Sequence, residues 1–357
     1  MTRHNVSRRI NTFQGTRFIF VLLIFLSHCV MTHFNTFEFG GECGVAFFFA
    51  LSGFVLSWGY GTQVQNRTFN HRRFMWRHLN RLYPLHLLLF FIVLILDIKA
   101  YIHYNALQLL TNLLLLQSWI PSNSTLFTVN GVSWFLCNTV FFYLLFPHLY
   151  RFISKRCHKQ QIISTSLLFG AIYLIIALCV PKNLVNCTLY ANPLLRTPDF
   201  ALGIISCLLY QRTSIFTTPY TTKWLKLPLM LDVAILIFTY FIYQHLTPNL
   251  RCAALFWPIM PFLLIKLAHH SHSNDLIAQI LSSKALSWLG NISFEFFITH
   301  TIVLRIVRHV VPSNGTYLND YAFLIASLLA TTALAAILHK WYVRPMANLL
   351  GKIERNE

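Results

Sequence analysis

The sequence predicts an all-α protein, a polytopic membrane bundle of about ten transmembrane helices, and two observations point to this fold class. Of the 357 residues, 56% are hydrophobic and only 11% are charged, whereas soluble domains carry about 25% charged residues. Apolar runs of about 20 residues, the length that crosses a bilayer, recur along the whole chain. Together these features exclude a soluble enzyme, a disulfide-rich secreted scaffold and a disordered chain.

The apolar runs give ten predicted spans. They cover residues 17–36, 43–60, 82–99, 131–150, 161–180, 194–211, 227–246, 251–267, 288–310 and 319–340. We expect them to form a single transmembrane domain over residues 1–357, with no appended soluble domain. The apolar run behind the basic N-terminus has no small-residue cleavage site, so the first span is expected to stay uncleaved.

A further apolar stretch, residues 107–119, is about 13 residues long, which is short for a transmembrane helix. If it does not cross and the N-terminus is inside, 22 of the 28 Lys and Arg residues lie on the cytoplasmic side; if it crosses, only 14 do. Because cytoplasmic loops are enriched in Lys and Arg, we predict that both termini are cytoplasmic. Residues 107–119 are then a re-entrant or interfacial segment on the outer side.

The net charge of +18 is explained by this topology and by contacts with membrane lipids, so we expect no nucleic-acid partner. The eight Cys residues form no CxxC pair and no zinc-ligand spacing. We therefore expect no metal site.

Two ionisable residues of the first span are candidate catalytic residues. His28 lies in the middle or outer half of the span, where ionisable groups are costly, and Arg17 lies eleven residues earlier. Eleven residues make about three helical turns, so both side chains share one face about 16 Å apart. A neutral imidazole is a good general base and can take the proton from a sugar hydroxyl that attacks a thioester. The alternative is a histidine bonded to a neighbouring helix and an arginine at the lipid headgroups.

The segment 67–81 concentrates arginines in one short cytoplasmic loop. Arg72, Arg73, Arg77 and Arg81 are candidates for holding a nucleotide's phosphates, because a guanidinium binds phosphate through two hydrogen bonds. The alternative is that these charges only fix the topology and contact anionic lipid.

Other polar positions in the spans have simpler interpretations. Small residues let helices approach, so Gly53 is expected to serve packing. Glu295 and His300 are five residues apart and do not share a helix face well, so each is expected to be satisfied within the bundle. Arg196 and Asp199 are expected to form a local ion pair at a helix start.

Seven segments in the same order resemble the bacterial membrane acyltransferase type three family, which is polysaccharide O-acetyltransferase-like. They are Arg17-x10-His28, 44–54, 81–84, 133–136 with Tyr143 and Pro147, 196–203, 288–294 with His300, and 341–345. The resemblance implies a multi-pass protein of the bacterial cytoplasmic (inner) membrane. It implies transfer of an acyl group, usually acetyl, from cytoplasmic acyl-CoA to a hydroxyl of an extracytoplasmic glycan or lipid-linked oligosaccharide.

The resemblance also assigns roles to residues. Arg17 and His28 match the catalytic signature, and the arginine-rich loop matches the region that handles acyl-CoA, so acetyl-CoA is the expected co-substrate. For the acceptor we expect an outer wall of Trp134, Arg196 and Arg305, with Glu42 nearby. A homo-oligomer is left open.

One departure from the family pattern concerns the base. The family often has Asp where this chain has Ala46, so a carboxylate that orients His28 is missing there, and Glu38 or Glu42 is the expected substitute. One rival function is a transporter or flippase of lipid-linked sugars, against which the absence of a sequence repeat counts. A second rival is a membrane acyltransferase with a different His/Asn site, for which no constellation is present.

Overall fold

The computed structural model describes residues 10–34, 36–96, 104–155, 159–213, 224–271, 273–311 and 316–356, which form helices and no strand. The predicted all-α class is therefore confirmed. The α-helices are α1 (Thr12–His28), α2 (Glu38–Gln65), α3 (His71–Leu96), α4 (Ala106–Leu113), α5 (Asn123–Leu126), α6 (Trp134–Lys155), α7 (Lys159–Cys179), α8 (Pro193–Thr213), α9 (Met230–His245), α10 (Met260–His270), α11 (Leu276–Leu281), α12 (Lys284–Asn291), α13 (Ser293–Val310), α14 (Tyr317–Leu338) and α15 (Arg344–Asn356).

Shorter turns join these helices. The 3-10 turns are Gln117–Trp119, Lys182–Leu184, Trp224–Lys226, Pro248–Leu250 and Ala253–Phe256, and the π-helical turns are Asn186–Tyr190 and His339–Val343. Within the described part, three helical runs are long and apolar enough to cross a membrane: Glu38–Gln65, His71–Leu96 and Tyr317–Gly351. Three apolar helices are shorter, namely Thr12–His28, Phe169–Cys179 and Met230–His245. The count of ten spans and the orientation of the termini stay predictions.

Helix α2 is the centre of the bundle and touches α8 backbone to backbone. A Cβ atom added to Gly203 would lie 1.8 Å from the carbonyl oxygen of Ala50, and one added to Gly53 would lie 2.1 Å from that of Phe200. Only glycine permits so close an approach. The packing role predicted for Gly53 is confirmed.

Helix α1 packs inside the bundle, between α2 on one side and α12 and α13 on the other. The ring of Phe296 on α13 contacts both Phe18 and Phe25, with ring centroids 5.9 and 5.6 Å apart. Near the N-terminus of α1, a Cβ added to Gly290 would lie 1.9 Å from the backbone oxygen of Gln14. One face of α1 is therefore enclosed by protein along its whole length.

Several predicted spans are wrong in their extent, and 288–310, for example, is divided between α12 and α13 at Ile292. The first ends at His28 and not at residue 36, because the N–H of Cys29 bonds back to Leu26 and closes the helix. His28 is thus the last residue of α1 and does not lie near mid-helix. The span 251–267 is broken into a 3-10 turn and the 11-residue helix α10. Pro258, between them, lacks the N–H that a continuous helix needs, and Pro261 lies in the first turn of α10, where proline is tolerated.

The segment 107–119 is not one continuous helix, and its predicted re-entrant or interfacial placement stays a prediction. Helix α4 has 8 residues and rises about 12 Å, after which Leu115 turns the chain with a φ of 56°. The side chain of Asn112 donates to Thr128 O at 2.8 Å and to Ser133 Oγ at 3.1 Å, and Gln117 donates to the same hydroxyl at 3.1 Å. Such internal partners are what irregular backbone within a membrane protein requires.

The start of α11 is fixed to the start of α9 by one carboxylate. Asp275 accepts hydrogen bonds from the backbone N–H of Ala278 at 3.0 Å and of Leu229 at 3.1 Å. Burial works to raise the pKa of Asp275, but these hydrogen bonds, with a contribution from His270, lower it overall. Asp275 is therefore a charged helix cap that joins two segments distant in sequence.

Candidate active site

Helix α1 carries Arg17 and His28 on one continuous helical segment. Their eleven-residue spacing corresponds to about 16 Å along the axis and nearly the same angular position. The prediction that they share a face is therefore confirmed by the regularity of the helix between them. Both side chains are half-buried, which leaves part of each accessible.

The imidazole of His28 faces a second imidazole inside the bundle. The ring centroids of His28 and His300 are 4.9 Å apart, with the rings inclined at 73°. His300 is fully buried on α13 and also contacts the rings of Phe25 and Phe297. The side chain of His28 thus points to the protein interior and not to lipid.

Hydrogen bonds to the backbone define which nitrogen of His28 carries the proton. Its Nδ1 lies 2.9 Å from the carbonyl oxygen of Ile24, and a carbonyl oxygen only accepts. Nδ1 therefore donates, and in the neutral ring Nε2 keeps its lone pair. This is the form in which an imidazole acts as a general base.

The prediction that a carboxylate orients His28 is wrong for both residues named. Glu38 accepts a hydrogen bond from Arg251 at 3.1 Å, and Glu42 accepts one from Arg196 at 3.4 Å. The backbone carbonyl of Ile24, four residues earlier on the same helix, takes the role instead, as the carbonyl of Phe74 does for His78 on α3.

The predicted acceptor residues Arg196 and Glu42 belong to one buried charge cluster. Arg196 is 0% exposed, with its Nε 2.9 Å from Asp199 Oδ2 and its guanidinium 5.3 Å from the ring centre of Phe49. Asp199 also accepts a hydrogen bond from the indole N–H of Trp257 at 2.7 Å. The predicted pairing of Arg196 with Asp199 is confirmed, and Glu42 extends it. A contact of either Arg196 or Glu42 with an acceptor stays a prediction.

Trp134 and Arg305 lie in different surroundings. Trp134 is buried and packs against Tyr190 with a centroid distance of 4.7 Å, and against Phe49 at 6.4 Å, so it adjoins the cluster of Arg196. Arg305 is exposed on α13. The structure therefore brings Trp134, Arg196 and Glu42 close together, and a place for Arg305 in the same wall stays a prediction.

The prediction that residues 67–81 form a loop is wrong from His71 onward, because helix α3 begins there. The four predicted phosphate-binding arginines lie on its first three turns and are exposed. Arg73 and Arg77, which are one helical turn apart, line a pocket of about 400 Å³ between the end of α2 and the start of α3. Its other lining residues are Tyr60, Gln63, Thr68, Phe69, Asn70 and Phe74. Arg72 and Arg81 are not among the lining residues. The pocket combines aromatic faces with two guanidinium groups, which suits a nucleotide.

Arg17 and Arg81 both lie near the hydroxyl of Tyr143, since the charge of each acts on it. Arg17 thus lies beside the arginine-bearing helix α3 and not alone at the rim of the bundle. The basic residues of α1 and α3 form one positive region, called the inner positive region because the predicted topology places it on the cytoplasmic side.

Comparison with known proteins agrees with this geometry. Residues 10–340 match the model of the acyltransferase 3 family, described as an acyltransferase domain. The chain belongs to the acyltransferase 3 family. It is also 27% identical to Acyltransferase MdmB of Streptomyces mycarofaciens over 384 aligned positions, which cover 96% of this chain and 93% of that protein. No solved structure gives a significant match. The predicted resemblance and the enzyme class are confirmed: this chain is an acyltransferase, and its family consists of membrane proteins.

The sequence interpretation of this acyltransferase missed the partnership of His300 with His28. The five-residue spacing from Glu295 drew attention to pairs within α13, whereas the actual partner is on α1. The signal that was present is the position of His300 after the segment 288–294, which resembles a family motif.

A second missed feature is a row of hydrogen-bonded polar side chains where the start of α13 meets the end of α14. Glu295 is buried and its Oε1 lies 2.7 Å from Nδ1 of His339, whose Nε2 accepts a hydrogen bond from Arg344 at 2.9 Å. His339 opens the π-helical turn that follows α14, and Tyr342 in the same turn donates to the backbone oxygen of Pro84 on α3 at 3.1 Å. This turn therefore locks α14 onto the helix that carries the arginines.

Proposed function

We propose that this acyltransferase moves an acyl group, in the first instance acetyl, from cytoplasmic acyl-CoA to a hydroxyl of an extracytoplasmic glycan or lipid-linked sugar in the bacterial inner membrane, with His28 as general base. The observation that carries the proposal is the arrangement of His28. Its Nδ1 is committed to Ile24 O, its ring faces the interior against His300, and its Nε2 is left as the basic atom.

The reaction balances with this one base. Nε2 of His28 takes the proton from the acceptor hydroxyl as its oxygen attacks the thioester carbonyl carbon. The tetrahedral intermediate then collapses, the carbon–sulfur bond breaks, and the imidazolium returns the proton to the leaving thiolate. The products are the ester and free CoA thiol, and no other proton donor or oxidant is needed. General-base help of this kind contributes about 10²- to 10⁴-fold to a rate.

The donor site is supported by the inner positive region. The pocket of Arg73 and Arg77 offers aromatic faces to a base and guanidinium groups to phosphates. Arg17 stands at the inner end of the face whose outer end is His28, about 16 Å away. An extended pantetheine arm has a comparable length, so phosphates held near Arg17 place a thioester near His28.

The acceptor is proposed to reach His28 from the outer side. In this proposal the buried cluster of Arg196 and Glu42, packed against Trp134, holds the outer wall in shape, while the exposed Arg305 is the group within reach of a sugar. The family's acyltransferase activity favours this function over a transporter of lipid-linked sugars, because transport does not require a general base.

The experiment is a transfer assay with labelled acetyl-CoA on purified protein in micelles, using a sugar acceptor drawn from the host's surface glycan. His28→Ala is expected to lose transfer by at least about 100-fold while it still binds acetyl-CoA. His309→Ala, which removes an exposed histidine from α13, is the control and is expected to keep its rate. Transfer by His28→Ala at the wild-type rate and equal protein amount contradicts the proposal.

A further inference from the structure

His300 presents a buried hydrogen-bond acceptor that has no partner among the described residues. Its Nδ1 is paired with the carbonyl oxygen of Phe297, so Nδ1 donates and Nε2 keeps its lone pair. The side chain is 0% exposed, and Nε2 has no hydrogen-bond partner in the described structure. A buried acceptor left unpaired costs about 1–3 kcal/mol. An apolar side chain would fill the same space without this cost, so packing alone does not account for a histidine here.

The position of His300 relative to His28 indicates which substrate it meets. Its ring lies 6.3 Å from that of Phe25, which is almost one turn nearer to Arg17 than His28 is. The ring of His28 is nearer still, at 4.9 Å. His300 therefore adjoins the last turn of α1, on the stretch between Arg17 and His28 along which the donor arm is proposed to run.

We propose that Nε2 of His300 accepts a hydrogen bond from the acyl donor, from the pantetheine amide N–H nearest the thioester. This inference rests on the proposed function, in which acyl-CoA is the donor. That nitrogen is three bonds from the sulfur, so an acceptor at His300 fixes where the thioester carbonyl can lie. The ring of His28 is 4.9 Å away, within reach of a hydroxyl attacking that carbonyl. His300 is thus a donor-positioning residue and His28 is the base.

The two histidines are chemically alike and functionally separate in this proposal. Both give their Nδ1 hydrogen to a carbonyl oxygen of their own helix, so both present a lone pair at Nε2. The half-buried ring of His28 is reachable by an acceptor, whereas the enclosed ring of His300 meets only what enters between the helices. An amide N–H on a thin arm fits that restriction better than a hydroxyl on a bulky sugar ring.

The experiment compares two acyl donors with the wild type, His300→Leu and His300→Gln. The donors are acetyl-CoA and an analogue in which an ester oxygen replaces the pantetheine N–H nearest the thioester. The wild type is expected to prefer acetyl-CoA by about tenfold in kcat/KM, the equivalent of one hydrogen bond of about 1.4 kcal/mol. His300→Leu is expected to be slow with acetyl-CoA and to show no preference between the donors. His300→Gln, which restores an acceptor oxygen, is expected to recover part of the preference.

The control is His86→Leu, because His86 is also a fully buried histidine but lies on α3 and bonds Asn112 O at 3.1 Å. It is expected to keep the tenfold preference whatever its stability. A preference that persists in His300→Leu overturns the inference while leaving acyl-CoA as the donor. Absence of any transfer from acetyl-CoA by the wild type overturns the proposed function itself. Should His300→Leu fail to accumulate, His300→Phe takes its place with the same two outcomes.

Discussion

The contact between α2 and α8 predicts a large effect from a single added methyl group. A Cβ on Gly203 would lie 1.8 Å from the carbonyl oxygen of Ala50 and 2.7 Å from its carbonyl carbon. Ordinary contacts of a Cβ begin at 3.4 Å, so the two backbones must separate by well over 1 Å. Neither group is the end of a flexible side chain, so no local rotation relieves the clash.

The expected cost follows from these distances. Overpacking a rigid contact costs about 1–3 kcal/mol, and the clash with backbone puts Gly203→Ala at the upper end of that range. Alanine favours a helix over glycine by about 1 kcal/mol, which offsets part of it. We expect a net loss of about 2 kcal/mol, or about 30-fold in the folding equilibrium.

The matched control is Gly59→Ala on α2, where an added Cβ meets nothing within 4 Å. It receives the helix benefit without the clash and is expected to be neutral or stabilised by up to about 1 kcal/mol. The assay is unfolding of each purified variant in detergent by titration with denaturant, followed by circular dichroism. Equal stability of Gly203→Ala and the wild type, or an equal loss in both variants, refutes the packing argument.

Three further predictions test other parts of the structure. Arg196→Met leaves the carboxylates of Glu42 and Asp199 without their cation and is expected to lose about 3–5 kcal/mol of stability in the same titration. A loss under about 1 kcal/mol contradicts the buried pairing. Arg73→Gln is expected to raise KM for acetyl-CoA by about tenfold, because a hydrogen bond from a charged group is worth about 1.5–3 kcal/mol. Arg72→Gln lies outside the pocket and is expected to raise KM less. Equal increases in KM for the two variants count against the pocket. Asp275→Asn is expected to lose about 1 kcal/mol at pH 7, because Asn has one acceptor oxygen for the two backbone N–H groups that Asp275 binds. Since folding lowers the pKa of Asp275, its contribution is complete above about pH 4 and is lost as the pH falls further. The two proteins should therefore converge in acid, and a constant difference between pH 7 and pH 3 contradicts this assignment.

The helical class and the axial relation of Arg17 to His28 could be predicted from the sequence because both depend on local rules. Apolar composition determines which segments are helical, and a spacing of eleven residues determines a shared face once the helix is continuous. The short helix within residues 107–119 was also predictable, since the apolar run there is too brief for a span.

The helix ends were harder to predict. Apolar residues continue past His28, so hydropathy placed the end of the first span too late, and only the backbone bond of Cys29 to Leu26 marks the true end. In the span 251–267 the prolines at 258 and 261 were visible in the sequence, but average hydropathy conceals them. Hydropathy reports the environment of a segment and not the continuity of its hydrogen bonds.

The site was predicted in part. Arg17, His28 and the arginines of α3 were found because charged groups in an apolar chain stand out. The pairing of His28 with His300 could not be found in this way, because it depends on how α1 packs against α13, and the two residues are about 270 positions apart in the sequence. The choice of Ile24 O over a carboxylate as the partner of His28 likewise depends on side-chain geometry at a helix end.

The most direct test of the central claim is the rate at which acetyl is transferred across sealed vesicles that hold the enzyme. Labelled acetyl-CoA is supplied only at the face bearing the arginines of α3, with the sugar acceptor only at the other face. The account predicts labelled ester with the wild type and a loss of at least about 100-fold with His28→Ala at equal amounts of enzyme. Ester formed by His28→Ala at the wild-type rate contradicts it.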